Sequence, residues 1–175
     1  MIKGKIRVAI IGTGRISDLH AIEYLHNPDT EIVALCDSDI DLAKTRAKKW
    51  GCSNSVKIEK EIDKVLAYHD VDMVELLLPH HLHLSAALKS MEAGKIISLQ
   101  KPMCLNLEEA DKLVNVVNGY DKPFKVFENF IFYPPVIKAK ELVDDGAIGK
   151  PLSIRIKSNF GIGDEAWHVP KYART

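Results

Sequence analysis

The sequence predicts an α/β fold: a doubly wound, mostly parallel sheet with helices on both faces. Three observations predict it. Apolar, β-branched runs alternate with helical patterns from the first strand onward. A glycine turn, Gly12-Thr13-Gly14-Arg15-Ile16-Ser17, joins the first strand directly to the first helix. An acid, Asp37, closes the next apolar run at about the 20-residue distance a dinucleotide site requires.

The elements follow in order. Residues 6–11 are apolar and form the first strand. The first helix carries Ile16, Leu19, Ile22 and Leu25 at helical spacing and ends at Asn27-Pro28. Residues 31–36 form the second strand, and a helix over 39–50 is stopped by Gly51. A weak strand near 56–58 leads to a short helix through Ile62, Val65 and Leu66. Residues 72–78 read as a buried parallel strand stopped by Pro79. A helix through Leu84, Ala87, Leu88 and Met91 ends at Gly94, and 95–99 is another strand. Asn106 and Glu109 resemble a capping box before a helix striped by Ala110, Leu113, Val114 and Val117. Residues 124–127 close the parallel series.

The pattern changes after Tyr133-Pro134-Pro135. A helix over 136–145 stops at Gly146, and residues 152–157 alternate strictly, as a half-exposed antiparallel strand does. No periodicity marks 158–175. The expected division is a nucleotide domain over 1–131 and an incomplete second domain over 132–175, with one helix and one strand.

Composition excludes several classes. The 175 residues carry 24 Lys and Arg against 24 Asp and Glu, a formal net charge of zero. Nucleic-acid and membrane-surface binders want a basic excess, so neither partner is expected. No apolar run reaches membrane-span length, and the N-terminus enters a strand without a secretory pattern. Cys36, Cys52 and Cys104 lie far apart without metal or redox spacing, which points to buried thiols in a reducing cytoplasm.

The strand–turn–helix at the start carries chemistry. Gly12 permits the tight turn, and Gly14 lets backbone approach a pyrophosphate. The helix N-terminus offers free N–H groups and the positive end of its dipole. Asp37 accepts from both ribose hydroxyls and repels a 2′-phosphate, so NAD is expected over NADP. Ser17 replaces the third glycine and is still small enough for close helix packing. An ordinary βα turn also uses glycines; the strand, the helix and the acid together favour the dinucleotide.

Four blocks, in order, resemble the Gfo/Idh/MocA oxidoreductases, the glucose–fructose oxidoreductase and inositol dehydrogenase group. They are the glycine turn with Asp37, Pro79-His80-His81-Leu82-His83, Gly94-Lys95 with Gln100-Lys101-Pro102, and Glu128-Asn129 with Gly146-Ala147-Ile148-Gly149-Lys150-Pro151. The resemblance implies a Rossmann domain followed by the start of a truncated α+β domain. It implies an NAD(P)-dependent oxidoreductase acting on a sugar, polyol or related hydroxy compound, with Lys101 as the catalytic lysine. It places the cofactor along Gly12, Thr13, Gly14, Arg15, Ile16, Asp37, Leu78, Pro79, His80, His83, Gln100 and Lys101. Gln100 stands where the family has glutamate, which removes a negative charge beside Lys101. The family continues beyond this point with a glycine-rich turn and an Asp-x-Gly-x-His segment, so the C-terminal catalytic segment is expected to be missing.

Lys101 also has a case of its own. At a strand's carboxyl end, beside a positive nicotinamide and partly desolvated, its charged form would be disfavoured, and it could exchange a proton with a substrate hydroxyl. His80, His81 and His83 share one loop with no fourth ligand nearby, so no metal is expected. His20 and His26 read as structural histidines on the first helix. Trp167 and His168 are open between substrate contact and tail; Asp164 and Glu165 read as a solvated turn. An alternative to the enzyme is a non-catalytic NAD-binding module, or a partner subunit. One amphipathic strand cannot bury Leu152, Ile154 and Ile156 alone, so a homo-oligomer formed through it is expected.

Overall fold

The computed structural model describes residues 4–128 and 130–157. The chain divides into two units, Met1–Phe127 and Glu128–Thr175. The first holds strands β1 (Ile6–Ile11), β2 (Thr30–Cys36), β3 (Lys57–Glu59), β4 (Met73–Leu76), β5 (Ile96–Gln100) and β6 (Phe124–Phe127). Its helices are α1 (Ser17–His26), α2 (Ile40–Lys49), α3 (Ile62–Leu66), α4 (His83–Glu92) and α5 (Leu107–Val117).

The strands form one parallel sheet in the order β3-β2-β1-β4-β5-β6. Its elements are joined by helical crossovers, as parallel pairing demands. The chain walks outward from β1 to β3, then returns to β4 on the other side of β1. That reversal leaves a crevice beyond the carboxyl ends of β1 and β4, where Gly12 and Leu77 leave the sheet.

Burial of both sheet faces explains the apolar runs. Ala9 and Ile11 of β1 join Leu76, Ala87, Leu99 and Leu113 in one core cluster. Ile10, pointing the other way, joins Ala21, Leu35, Ala43 and Ala47 in a second. The polar residue near the start of β1 is compensated: Arg7 donates from Nε and Nη2 to Asp72, each at 2.8 Å, just ahead of β4. Those bonds and the Arg7 charge hold the Asp72 carboxyl below its ordinary 3.8.

Two helices show details that the local pattern does not. Ile16, Leu19, Ile22 and Leu25 do not face the sheet; they stand 40–67% exposed. The buried residues of α1 are Ser17 and Ala21. Small side chains one turn apart let the helix backbone approach the sheet closely, and this places the apolar stripe outward. At α5, Asn106 accepts the Glu109 N–H at 2.9 Å as expected. The Glu109 carboxylate, however, accepts the N–H of Leu105 rather than that of Asn106, so the reciprocal half of the box is shifted by one residue.

The second unit contains α6 (Pro134–Asp144), entered through two prolines at its first turn. The strand expected over residues 152–157 is absent: this stretch joins no ladder among the described residues. Alternation prepares a segment for a sheet, but a strand exists only by pairing. Trp167, His168, Asp164, Glu165 and Asn129 lie outside the described residues.

Candidate dinucleotide site

The turn after β1 is built around one steric requirement. Gly12 has φ +96°, and a Cβ there would stand 2.3 Å from the Leu77 carbonyl oxygen. Only glycine fits between the exits of β1 and β4. Gly14 differs: a Cβ added there meets nothing within 4 Å. The space over its backbone is open, as an approaching phosphate needs.

Thr13, between the glycines, is fully buried and held from both ends. Its N–H and hydroxyl donate to Asp37 Oδ2 at 2.7 and 2.9 Å. Its carbonyl accepts from Arg46 Nε of α2 at 3.1 Å. Asp37 Oδ1 takes the Asp39 N–H at 3.0 Å. The acid read from the sequence as a ribose ligand therefore already organises the glycine turn. Three of the roughly four acceptor positions of a carboxylate are in use, and a ribose diol would compete with the Thr13 hydroxyl.

Among the described residues no side chain caps α1, which leaves N–H groups of its first turn without a side-chain partner. Ser17 closes the turn instead, donating its hydroxyl to the Gly14 carbonyl at 2.6 Å. Arg15 and Ile16, next in the turn, are exposed. Asp18 would oppose an anion, but its carboxylate is committed to Arg46, Lys49 and Trp50 at 2.6–2.9 Å. Burial alone would raise this carboxyl; the bonds from Lys49 and Trp50 and the charge of Arg46 outweigh it and hold it below 3.8.

The exits of β4 and β5 are tied together by His83, the first residue of α4. It is fully buried. Nδ1 lies 2.7 Å from the Pro102 carbonyl and Nε2 lies 2.9 Å from the Leu78 carbonyl. His80 meets its ring edge-on with centroids 5.5 Å apart. Burial, then the charges of His83, Lys101 and His81, lower the His80 pKa below 6.5. Leu78, Pro79 and His80 are half-buried along this exit, and Gln100 ends β5. Lys101 is exposed, so any desolvation of its amine has to come from a bound molecule. Among the described residues no group of three or more His, Cys, Asp or Glu side chains could hold a metal.

Sequence reasoning located the turn, Asp37 and the β5 exit. It missed Arg46, Asp18 and the anchoring of Thr13, because these join residues 24–33 positions apart and leave no local pattern. It also missed Glu75, which passed as one position in an apolar strand.

The family model for an oxidoreductase family with an NAD-binding Rossmann fold, GFO_IDH_MocA, matches residues 6–128. The chain belongs to this Gfo/Idh/MocA family. It is similar to inositol 2-dehydrogenase of Rhizobium meliloti, 29% identical over 153 residues that cover 87% of this chain and 45% of that protein. It is similar to D-glucoside 3-dehydrogenase of Escherichia coli, 28% identical over 97% of this chain and 48% of the other. The crystal structure of scyllo-inositol dehydrogenase from Lactobacillus casei with bound NAD(H) and scyllo-inositol shares the fold. Its TM-score is 0.74 at 24% identity, over 83% of this chain and 42% of that one. The Gfo/Idh/MocA chain described here thus spans under half the length of these relatives.

Proposed function

We propose that this chain forms the dinucleotide-binding part of an NAD-dependent dehydrogenase acting on a sugar, polyol or related hydroxy compound. One observation carries the reading. A glycine turn is pinned by Asp37 and Arg46 through Thr13, while the backbone over Gly14 is left open. The pyrophosphate would lie over Gly14, Arg15 and Ile16 at the amino end of α1. Asp37 would take the adenosine ribose and Gln100 the other ribose. The nicotinamide would lie at the exits of β4 and β5, between Leu78, Pro79, His80 and Lys101, with His83 holding the two exits together. When bound, the nicotinamide serves as the hydride acceptor. An uncharged Lys101 amine would take the hydroxyl proton as the carbinol carbon loses hydride and becomes a carbonyl. The free thiols Cys36, Cys52 and Cys104 suit a reducing, cytoplasmic setting. Among the described residues no helix is long and apolar enough to cross a membrane.

Fluorescence titration with NADH and NADPH tests the cofactor reading. NADH is expected to bind at least about tenfold more tightly, a difference near 1.4 kcal/mol. Tighter NADPH binding would show that the Asp37 carboxylate does not select against a 2′-phosphate. Turnover of NAD with pooled polyols then separates an enzyme from a non-catalytic binding module.

A second reading, self-association through residues 152–157, is favoured by Leu152, Ile154 and Ile156, which stand 84–92% exposed. Sedimentation is expected to show concentration-dependent association that Ile154→Lys abolishes. A monomer at every concentration would overturn it.

A further inference from the structure

A polar chain runs beneath the candidate site, and of its members only Gln100 is also assigned to the nucleotide. At its centre is Glu75 on β4, fully buried in the middle of a parallel sheet. Such a carboxylate needs donors. The Tyr24 hydroxyl of α1 donates to Oε2. Burial, then the Glu75 charge, push the Tyr24 phenol far above its ordinary value, so it stays a donor. Among the described residues no hydrogen bond falls on Oε1. His20 Nδ1, one helical turn before Tyr24, stands 3.0 Å from it.

The other side of His20 settles the direction of the chain. Its Nε2 lies 2.9 Å from Gln100 Nε2 at the end of β5. The Gln100 amide is not free to turn, because its oxygen accepts the Lys101 backbone N–H at 2.8 Å. An amide nitrogen only donates. His20 Nε2 must therefore accept, which leaves the ring proton on Nδ1, facing Glu75. Flipping the amide would set its NH₂ against the Lys101 N–H, donor against donor.

We infer that Glu75, His20 and Gln100 are positioning residues for the Lys101 turn: the carboxylate holds the His20 tautomer, His20 holds the amide, and the amide oxygen holds the Lys101 backbone. The catalytic meaning of that turn rests on the dehydrogenase reading; the order of the hydrogen bonds does not. Phe127 of β6 packs edge-on against His20 with centroids 5.7 Å apart and restrains the ring without entering the chain. Gln100 gives this arrangement its direction. A glutamate there would present acceptors only, and His20 would have to donate from both nitrogens.

The test uses the full chain labelled with ¹⁵N. Imidazole spectra are expected to show His20 protonated at Nδ1 and bare at Nε2, and Gln100→Glu is expected to add the second proton at Nε2. Gln100→Leu should speed exchange of the Lys101 amide by about tenfold. A wild-type ring protonated at Nε2, an unchanged His20 in Gln100→Glu, or an unchanged Lys101 exchange rate would each overturn the proposal. If a variant fails to fold, the wild-type tautomer still decides. Failure of wild-type protein to bind NADH would sink the dehydrogenase reading and leave the tautomer result intact.

Discussion

Gly12→Ala is expected to destabilise the protein strongly, whereas Gly14→Ala leaves its stability nearly unchanged and weakens dinucleotide binding. The two glycines are neighbours in one turn and look equivalent in sequence. At position 12, φ is +96° and the new methyl would stand 2.3 Å from the Leu77 oxygen and 2.8 Å from its carbonyl carbon. Both obstacles are backbone of the adjacent strand exit, and neither can swing aside. A left-handed non-glycine residue costs about 1–3 kcal/mol, and overpacking adds a similar amount. A loss of about 4 kcal/mol is a large part of the 5–15 kcal/mol typical of a domain. At position 14 the added methyl meets nothing and φ is not positive. Its effect on stability should stay within about 1 kcal/mol. The methyl would instead occupy the space through which a phosphate reaches the backbone. Urea midpoints paired with NADH titration measure both. Equal midpoints would remove the steric account of Gly12, and unchanged binding by Gly14→Ala would remove the phosphate from this turn.

His83→Leu is the second large effect. The imidazole fills the gap between the β4 and β5 exits and reaches the carbonyls of Leu78 and Pro102 at 2.9 and 2.7 Å. Leucine fills much of the volume and offers no donor. An acceptor left without a partner costs about 1–3 kcal/mol, so the loss should be of that size. His83→Gln restores a donor and should recover part of it. Amide exchange should rise on both sides of the lost contact, around Leu78 and around Met103. A midpoint within error of wild type would show that the carbonyls find other partners and that the ring only occupies space.

The order of strands and helices was legible because both faces of the sheet's centre are covered, so β1, β2, β4 and β5 are mostly apolar. The glycine turn was legible because its steric demand is local. What stayed hidden depends on what lies across a gap. The stripe of Ile16, Leu19, Ile22 and Leu25 pointed outward because α1 meets the sheet through Ser17 and Ala21, with His20 and Tyr24 reaching Glu75. Helical spacing identifies two faces and does not say which one is inside when the sheet itself carries a buried acid. Asp37 was found but given one task, since nothing near it in sequence shows that Thr13 uses it too. Residues 152–157 have a strand's alternation without a ladder among the described residues, because pairing depends on a neighbour that a local pattern cannot supply.

The proposed ribose role of Asp37, added to its hold on Thr13, bears on how coenzyme preference could be re-engineered. Neutralising position 37 to admit a phosphorylated coenzyme also releases Thr13, whose N–H and hydroxyl it receives. Positions 13 and 37 are therefore epistatic, and a productive swap has to be selected as a pair. Single-site libraries at 37 would be depleted by loosened scaffolds before altered selectivity could be scored.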